Sequence, residues 1–314
     1  MIELKNVTKK YGPNYAVKEV SFQVEKGGIV GFLGRNGAGK TTTMNIITGY
    51  ISSTEGTVTV DGFDILKNPR EAKRRIGYLP EQPPLYPDLT VEEYLSFACR
   101  LKGVPKAGMV KQVDRVLEIA NVSDVKKRLI GNLSKGYRQR VGLAQALCGN
   151  PEIIILDEPT VGLDPRQIID IRNTIKELGR EHTVILSSHI LNEVADVCEK
   201  VIIIDKGRIV KQESLKNLTQ GLKDRPRILV RLSGSNDAGL KALKNIAFVK
   251  SVESSGQLEE GAYDFIVESE GQDLRGGIFE AVKASSCQIL LMQPVSETLE
   301  DIFIKLTNSE EEAV

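Results

Sequence analysis

The pattern of apolar and polar positions predicts an α/β protein. Apolar and polar residues alternate from Val17 to Val24, which favours antiparallel strands near the start. Uninterrupted apolar runs follow at Ile29–Leu33 and Ile153–Leu156, and such runs are typical of parallel strands that are buried on both faces. Strands and helices alternate from there to Asp205–Arg208, where a Lys-Gly pair predicts a hairpin turn.

The interval between the two apolar runs contains a segment with helical periodicity. Residues from about Thr90 to Cys148 are expected to form a mainly helical subdomain. Thr90 and Glu93 have the spacing of a capping box, which predicts that a helix begins just after Thr90.

Beyond Gly221 the character of the sequence changes, which predicts two domains, residues 1–221 and residues 222–314. Strands and helices in the second domain follow the order βαββαβ, so we expect a small, ferredoxin-like α+β domain. A last helix would use its apolar face for core or dimer packing, and Glu310–Glu312 would form a solvated tail. The predicted elements are strands Ile228–Leu232, Phe248–Val252, Tyr263–Val267 and Ile289–Met292, helices Ala238–Leu243 and Leu274–Ala284, and an apolar face of Leu299, Ile302, Phe303 and Leu306.

A glycine-rich segment lies directly after the first apolar run and has the form G-x-x-x-x-G-K-[ST]. Glycines let successive backbone N–H groups converge on one anion, and the following helix adds the positive end of its dipole. This pattern predicts a bound nucleoside triphosphate, with Lys40 reaching the β- and γ-phosphates and Thr41 ligating Mg²⁺. A flexible surface loop is the alternative interpretation. The expected contact residues are Gly34, Arg35, Asn36, Gly37, Ala38, Gly39, Lys40, Thr41 and Thr42.

Two carboxylates, Asp157 and Glu158, end the second apolar run. Ligands of open α/β sheets bind at the carboxyl ends of strands. Asp157 could therefore hold Mg²⁺ through its water shell, and Glu158 could orient the water that attacks the γ-phosphate. Like charges at one partly buried point are costly without a cation, although the pair could instead cap a turn.

A second candidate anion site begins at Ser134, within the segment Leu133–Arg140. Ser134 is a suitable helix N-cap, and its hydroxyl together with the Gly136 N–H could bind an anion at the helix start. One chain does not need two sites for one γ-phosphate. We therefore expect the second site to serve the nucleotide of another protomer.

This segment resembles the signature motif of ATP-binding-cassette (ABC) ATPases in its Leu-Ser-x-Gly form. Ser134 and Gly136, which make the phosphate contacts in the family, are kept, whereas Lys135 and Tyr137 stand where the family usually has Gly and Gln. The resemblance implies a P-loop NTPase cassette with a RecA-like core, an antiparallel β subdomain and an α-helical subdomain. It also implies ATP with Mg²⁺, held between two cassettes, the second being another copy of this chain or a related chain.

The same resemblance suggests an adenine site near the start of the chain. Tyr11 is similar to the aromatic residue that stacks on adenine, with Val17 near the ribose. Without the other motifs, Tyr11 would be interpreted as a surface aromatic residue at a strand end.

Two loops on the carboxyl side of the signature complete the set. Asp164, in Gly162–Pro165, resembles part of the loop by which two cassettes touch each other's active sites, and it is also a suitable N-cap for a helix that begins at Pro165. His189, after the strand Thr183–Ser187, resembles the switch histidine that contacts the γ-phosphate. The resemblance thus implies Lys40, Glu158 and His189 as catalytic residues, although a lone His in this position is more often a surface residue.

One motif departs further from the family. A Gln ahead of the helical subdomain usually touches Mg²⁺ and the attacking water and senses the membrane partner, but here Glu81 takes that position and Gln82 follows it. Carboxylate oxygens bind hard cations readily, so both residues are candidates and Glu81 is preferred.

Composition agrees with this interpretation. The chain has 314 residues with 42 basic and 42 acidic side chains, so no net charge favours nucleic acid as a partner. Cys99, Cys148, Cys198 and Cys287 are scattered without a C-x-x-C motif, which indicates reduced thiols in a cytosolic protein. The start of the chain lacks signal-peptide character, and no apolar run approaches the roughly 20 residues that span a bilayer.

Three classes of function fit these motifs. The favoured one is the ATPase subunit of an ABC-2-type exporter, located in the cytoplasm at the inner face of the membrane and bound to integral membrane permease subunits on separate chains. Leu299–Phe303 is similar to a string found in drug-resistance and gliding-motility cassettes. A cassette ATPase that acts on DNA or ribosomes, or a non-hydrolysing regulatory cassette, are the alternatives. The transported substrate cannot be inferred, because selectivity belongs to the membrane subunits.

Overall fold

The computed structural model describes residues 1–218, 227–259, 261–269 and 271–295, with only the backbone at 257–259. The chain divides into two compact units, Met1–Leu215 and Lys216–Val314. The predicted domain boundary at Gly221, the final apolar face from Leu299 and the acidic tail Glu310–Glu312 lie outside the described residues.

The first unit contains two sheets and seven α-helices among its described residues. Its strands are β1 (Ile2–Tyr11), β2 (Asn14–Val24), β3 (Ile29–Leu33), β4 (Glu55–Val60), β5 (Phe63–Asp64), β6 (Ile76–Leu79), β7 (Ile153–Asp157), β8 (Thr183–Ser188), β9 (Lys200–Asp205) and β10 (Arg208–Ser214). Its helices are α1 (Lys40–Ile47), α2 (Pro69–Arg75), α3 (Val91–Leu101), α4 (Met109–Ile119), α5 (Lys135–Ala146), α6 (Pro165–Glu181) and α7 (Leu191–Val197).

The smaller sheet is antiparallel and has the strand order β2-β1-β4-β5. The alternation from Val17 to Val24 therefore correctly predicted the antiparallel strands before the glycine-rich loop, which are β1 and β2. The inward-facing side chains of this sheet join a core cluster that also includes Phe32 of the larger sheet and Met44 of α1. This shared core fixes α1, and with it the loop at its N-terminus, against both sheets.

The larger sheet has the order β10-β9-β3-β8-β7-β6. All neighbouring strands in it are parallel except β10, which pairs with β9 across the predicted hairpin turn. Every residue of β3 and β7 is buried, as their continuous apolar runs predicted, and every residue of β8 is buried as well. Because these three strands are adjacent and parallel, the segments that follow their carboxyl ends meet at one edge of the sheet.

The helix starts follow the capping signals in the sequence. Thr90 and Glu93 form the predicted capping box at the start of α3. Ser134 caps α5 by accepting a hydrogen bond from the Tyr137 N–H, and Asp164 caps α6, which begins at Pro165. The residues that the family resemblance assigned to inter-subunit contacts thus also define the ends of two helices.

The second unit has the predicted element order βαββαβ. Its sheet is antiparallel with the order β12-β13-β11-β14, and residues such as Val230, Phe265 and Ile278 form its core. The split βαβ motif of ferredoxin-like domains has this element order. The elements are β11 (Arg227–Ser233), α8 (Asn236–Lys244), β12 (Val249–Glu259), β13 (Ala262–Ser269), α9 (Arg275–Lys283) and β14 (Gln288–Val295).

Gly77 of β6 provides a test of the contact between the larger sheet and α5. A Cβ at this position would overlap the Ala146 carbonyl oxygen at the end of α5, whereas a Cβ at Gly108 would meet nothing within 4 Å. We expect Gly77→Ala to destabilise the protein by about 1–3 kcal/mol, because the backbones must separate. The Gly108→Ala variant is the matched control. Urea denaturation followed by circular dichroism measures both, and equal midpoints would contradict the close contact.

Candidate nucleotide-binding site

The glycine-rich loop joins β3 to α1 in a conformation that glycine makes accessible. Gly37 and Gly39 have positive φ angles of 80° and 105°, and a Cβ on Gly39 would lie 2.6 Å from the Ala16 carbonyl oxygen. The close approach of this backbone to β2 therefore excludes larger residues at Gly39. The loop ends at the N-terminus of α1, where unpaired N–H groups and the helix dipole favour an anion.

Lys40, the first residue of α1, is buried and holds the loop together. Its Nζ donates hydrogen bonds to the carbonyl oxygens of Gly34 at 2.9 Å and Arg35 at 3.3 Å. The same ammonium lies 3.2 Å from Oε1 of Glu158, whose side chain is only 7% exposed. Lys40 thus links the glycine-rich loop to the end of β7.

Glu158 lies between a lysine and a histidine. Its backbone has a left-handed φ of 50°, a conformation that is uncommon for a residue with a side chain, and its N–H donates to the Ser187 carbonyl oxygen. Nδ1 of His189 is 2.8 Å from Oε2 of Glu158. The carboxylate therefore contacts the residue after β8 with one oxygen and Lys40 with the other.

Asp157 is fully buried, and neither of its carboxylate oxygens accepts a hydrogen bond with good geometry from any described residue. The hydroxyls of Ser187 and Thr41 are near enough to favour its charged form, but burial dominates and raises the pKa of the Asp157 carboxyl. A buried carboxylate with free oxygens beside a threonine hydroxyl fits a divalent cation with hard oxygen ligands. Among the described residues, no cluster of three or more His, Cys, Asp or Glu side chains could hold a metal ion.

These residues border a cavity of about 450 Å³. It brings together most of the residues that the sequence predicted for the phosphates and for catalysis. Its lining also includes Ala16 and Val161, which the sequence analysis did not identify. The lining residues are Ala16, Asn36, Gly37, Gly39, Lys40, Thr41, Thr42, Glu81, Glu158, Val161 and His189.

A neighbouring cavity of about 620 Å³ contains Asp157, Gln82 and two residues of the first cavity, Thr41 and Glu81. Glu81 therefore borders both cavities, as Thr41 does, whereas Gln82 borders only the second. In addition to burial, the charge of Glu81 raises the pKa of the Asp157 carboxyl, so these two side chains are neighbours.

The residues expected near adenine and ribose do not line this cavity. Tyr11, at the turn between β1 and β2, is 53% exposed and does not line the cavity. Val17 is fully buried in the core, so the structure does not support its placement beside the ribose. The alternation of β2 explains this difference, because Val17 belongs to the inward-facing residues, and the preceding Ala16 faces the cavity instead.

The second candidate anion site is separate from this cavity. Ser134, Gly136 and Asp164 are absent from its lining. The start of α5 instead packs against the first turn of α6 and the loop before it, since a Cβ on Gly136 would overlap the Gln167 side chain and a Cβ on Gly162 would overlap the Lys135 ammonium. Tyr137 is held by a 2.7 Å hydrogen bond to Asp124.

Within the described part of the chain, no helix is long and apolar enough to cross a membrane.

Comparisons with known proteins agree with this geometry. The family described as ABC transporter matches residues 17–161. The chain is 33% identical over 313 residues to the linearmycin resistance ATP-binding protein LnrL of Bacillus subtilis, covering 98% of both chains. It is 39% identical to the bacitracin transport ATP-binding protein BcrA of Bacillus licheniformis over 76% of this chain and 77% of that protein.

A solved structure is similar as well. The dimeric, post-hydrolysis ATP-binding cassette MJ0796, bound to ADP and Pi, matches with a TM-score of 0.63 and 31% identity, over 68% of this chain and 99% of that one. The chain therefore belongs to the ABC transporter family and is an ATPase cassette that binds ATP with Mg²⁺.

Proposed function

We propose that this chain is the ATPase subunit of an ABC-2-type exporter and that two cassettes clamp two ATP molecules. The separation of Ser134 and Gly136 from the Lys40 cavity of the same chain carries this proposal. A signature motif that does not border the glycine-rich loop of its own chain can complete the nucleotide site of another copy. Two relatives are named for linearmycin resistance and bacitracin transport, and the MJ0796 structure is named as a dimer, which supports both parts.

The residues of the cavity have complementary roles in this proposal. Lys40 neutralises charge on the β- and γ-phosphates, and the N–H groups of the glycine-rich loop hold them. Thr41, Asp157 and Glu81 would hold Mg²⁺, which would neutralise phosphate charge when bound. Glu158 orients the attacking water, and His189, already 2.8 Å from that carboxylate, contacts the γ-phosphate.

The permease partner would dock at a groove beside the second cavity. The groove has a volume of about 790 Å³ and contains a group of aromatic rings, in which Tyr86 lies 5.8 Å from Tyr94 and 5.9 Å from Phe97. Tyr86 and Phe97 are exposed, and Leu101 beside them is 72% exposed. Clustered apolar side chains on a surface are typical of a protein interface. Binding there would place the chain at the inner face of the membrane, on the cytoplasmic side.

Paired variants of Lys40 and Glu158 test the clamp. Lys40→Ala should lose ATP-driven dimerisation, because the phosphates lose their cation. Glu158→Gln should dimerise with ATP and lose turnover on the order of 100-fold or more. Light scattering with and without Mg-ATP and a phosphate-release assay measure both effects. Lys111→Ala, an exposed lysine on α4, is the matched control. A wild type that binds ATP but never hydrolyses it, even with its membrane partner, would reject the proposal.

The magnesium site is tested at Glu81 and Gln82. Glu81→Ala should raise the Mg²⁺ concentration for half-maximal turnover by roughly tenfold or more, because a cation contact is removed. Gln82→Ala should have a smaller effect, since Gln82 does not border the cavity with Lys40. Mg²⁺ titrations of ATPase activity provide the measurement. If both variants had equal and negligible effects, the assignment would be wrong.

The docking groove is tested with a charge in its aromatic group. Phe97→Asp should abolish co-purification of an integral membrane protein with the tagged chain, while ATP binding persists. Val110→Asp on α4 is the control, because Val110 is also exposed and apolar but does not line the groove. Recovery of ribosomes or DNA with the wild type, in place of a membrane protein, would favour the alternative class of cassette ATPase.

A further inference from the structure

A second buried carboxylate, Glu193 of α7, lies near the site and has no role in the proposed chemistry. Glu193 is only 5% exposed. The other buried residues of α7 are Leu191, Val194 and Val197, so an apolar side chain would be expected at this position. Burying a charge costs several kcal/mol unless it is paired and hydrogen-bonded, which directs attention to the partners of Glu193.

The partners of Glu193 are two hydroxyls and a guanidinium. Its Oε2 accepts a hydrogen bond of 2.7 Å from the Thr160 hydroxyl and one of 3.3 Å from the Ser188 hydroxyl. Both hydroxyl residues are themselves buried. Nη2 of Arg172 lies 3.8 Å from the other oxygen, Oε1, and supplies opposite charge. One carboxylate thus joins the loop after β7, the end of β8 and helix α6.

The two hydroxyls stand next to the pair of residues that would act on ATP. Thr160 lies in the turn that the Val161 N–H closes on the Glu158 carbonyl oxygen at 3.2 Å. Ser188 directly precedes His189, and its Oγ also accepts the Ile190 N–H at 3.0 Å. The backbone on both sides of His189 is therefore fixed by Ser188. Because both hydroxyls donate to the same oxygen, displacing either segment disturbs the other.

We infer that Glu193 is a positioning residue that holds Glu158 and His189 at hydrogen-bond distance through Thr160 and Ser188. This inference rests on the proposed function, in which those two residues act on the attacking water and the γ-phosphate. Glu193 touches neither group. Glu193 instead fixes the two loops that carry Glu158 and His189. A displacement of about 1 Å in such a pair of residues can lower the reaction rate by up to 100-fold.

The kinetic test uses Thr160, which has a variant of nearly the same shape. Thr160→Val removes the hydroxyl and should lower kcat roughly tenfold while leaving KM for ATP unchanged, because the glycine-rich loop is untouched. Thr160→Ser retains the hydroxyl and should retain kcat. The double variant Thr160→Val with Glu193→Gln should fall little further than the lower of the two single variants, since both act on one network.

A spectroscopic test reports on the pair directly, without turnover. The chain has two histidines, His182 and His189. His182 lies apart, with Nδ1 2.7 Å from the Pro151 carbonyl oxygen, and serves as an internal control. With ¹⁵N-labelled imidazole rings in the full-length chain, Thr160→Val should shift the His189 resonances and leave those of His182 in place. Thr160→Ser should shift neither.

The outcomes separate this inference from the proposed function. If the wild type turns over ATP and Thr160→Val has the same kcat, the positioning role is overturned. It is also overturned if Thr160→Val and Thr160→Ser lose kcat equally. Unchanged His189 resonances in Thr160→Val overturn it as well. A wild type without any turnover would reject the proposed function, and the His189 resonances would still decide whether the Glu193 network positions the pair.

Discussion

The contact between the Glu158 carboxylate and the Lys40 ammonium is the interaction on which the site depends. Both side chains are almost fully buried and 3.2 Å apart. Burying a single ion costs several kcal/mol, so a partner of opposite charge matters at that depth. The two opposite charges offset this penalty for each other, and the site keeps a cation and a carboxylate close to one another.

This pair exists only because the parallel sheet brings β3 and β7 to the same edge. Lys40 follows β3 and Glu158 follows β7, with β8 between these strands. The intervening strand contributes His189 to the other side of the carboxylate. Three segments that are far apart in sequence thus meet around one side chain. The left-handed φ of 50° at Glu158 stores local strain at this point, and the Ser187 carbonyl and the Thr160 turn maintain it.

The sequence predicted the elements well because their signals are local. The apolar runs, the capping box at Thr90 and the caps at Ser134 and Asp164 each depend on a few neighbouring residues, and all are confirmed. The order βαββαβ of the second unit follows from periodicity in the same way. The glycine-rich loop could be predicted equally well from the sequence, because the spacing of its glycines reflects a backbone geometry that few other residues permit.

Other features could not be predicted from the sequence, because they depend on which loops meet in space. Val17 shows the difference most clearly, since a resemblance placed it near the ribose while the alternation of its own strand placed it in the core. The partners of Glu158 and of Glu193 come from segments that are separated along the chain. Only the isolated acid on the apolar face of α7 could have indicated the second network.

Contacts also extend from the backbone of Glu158 towards the signature segment Leu133–Arg140. The Val161 N–H donates to the Glu158 carbonyl, and the next residue, Gly162, lies against the Lys135 side chain. Lys135 stands where the family usually has glycine, so this contact is a property of the present chain. In a two-copy clamp, one protomer's Ser134 and Gly136 would face the ATP bound by its partner. The Glu158 of each protomer would act on the ATP bound by that same protomer. A continuous series of contacts would then connect the state of one site to the signature that completes the other.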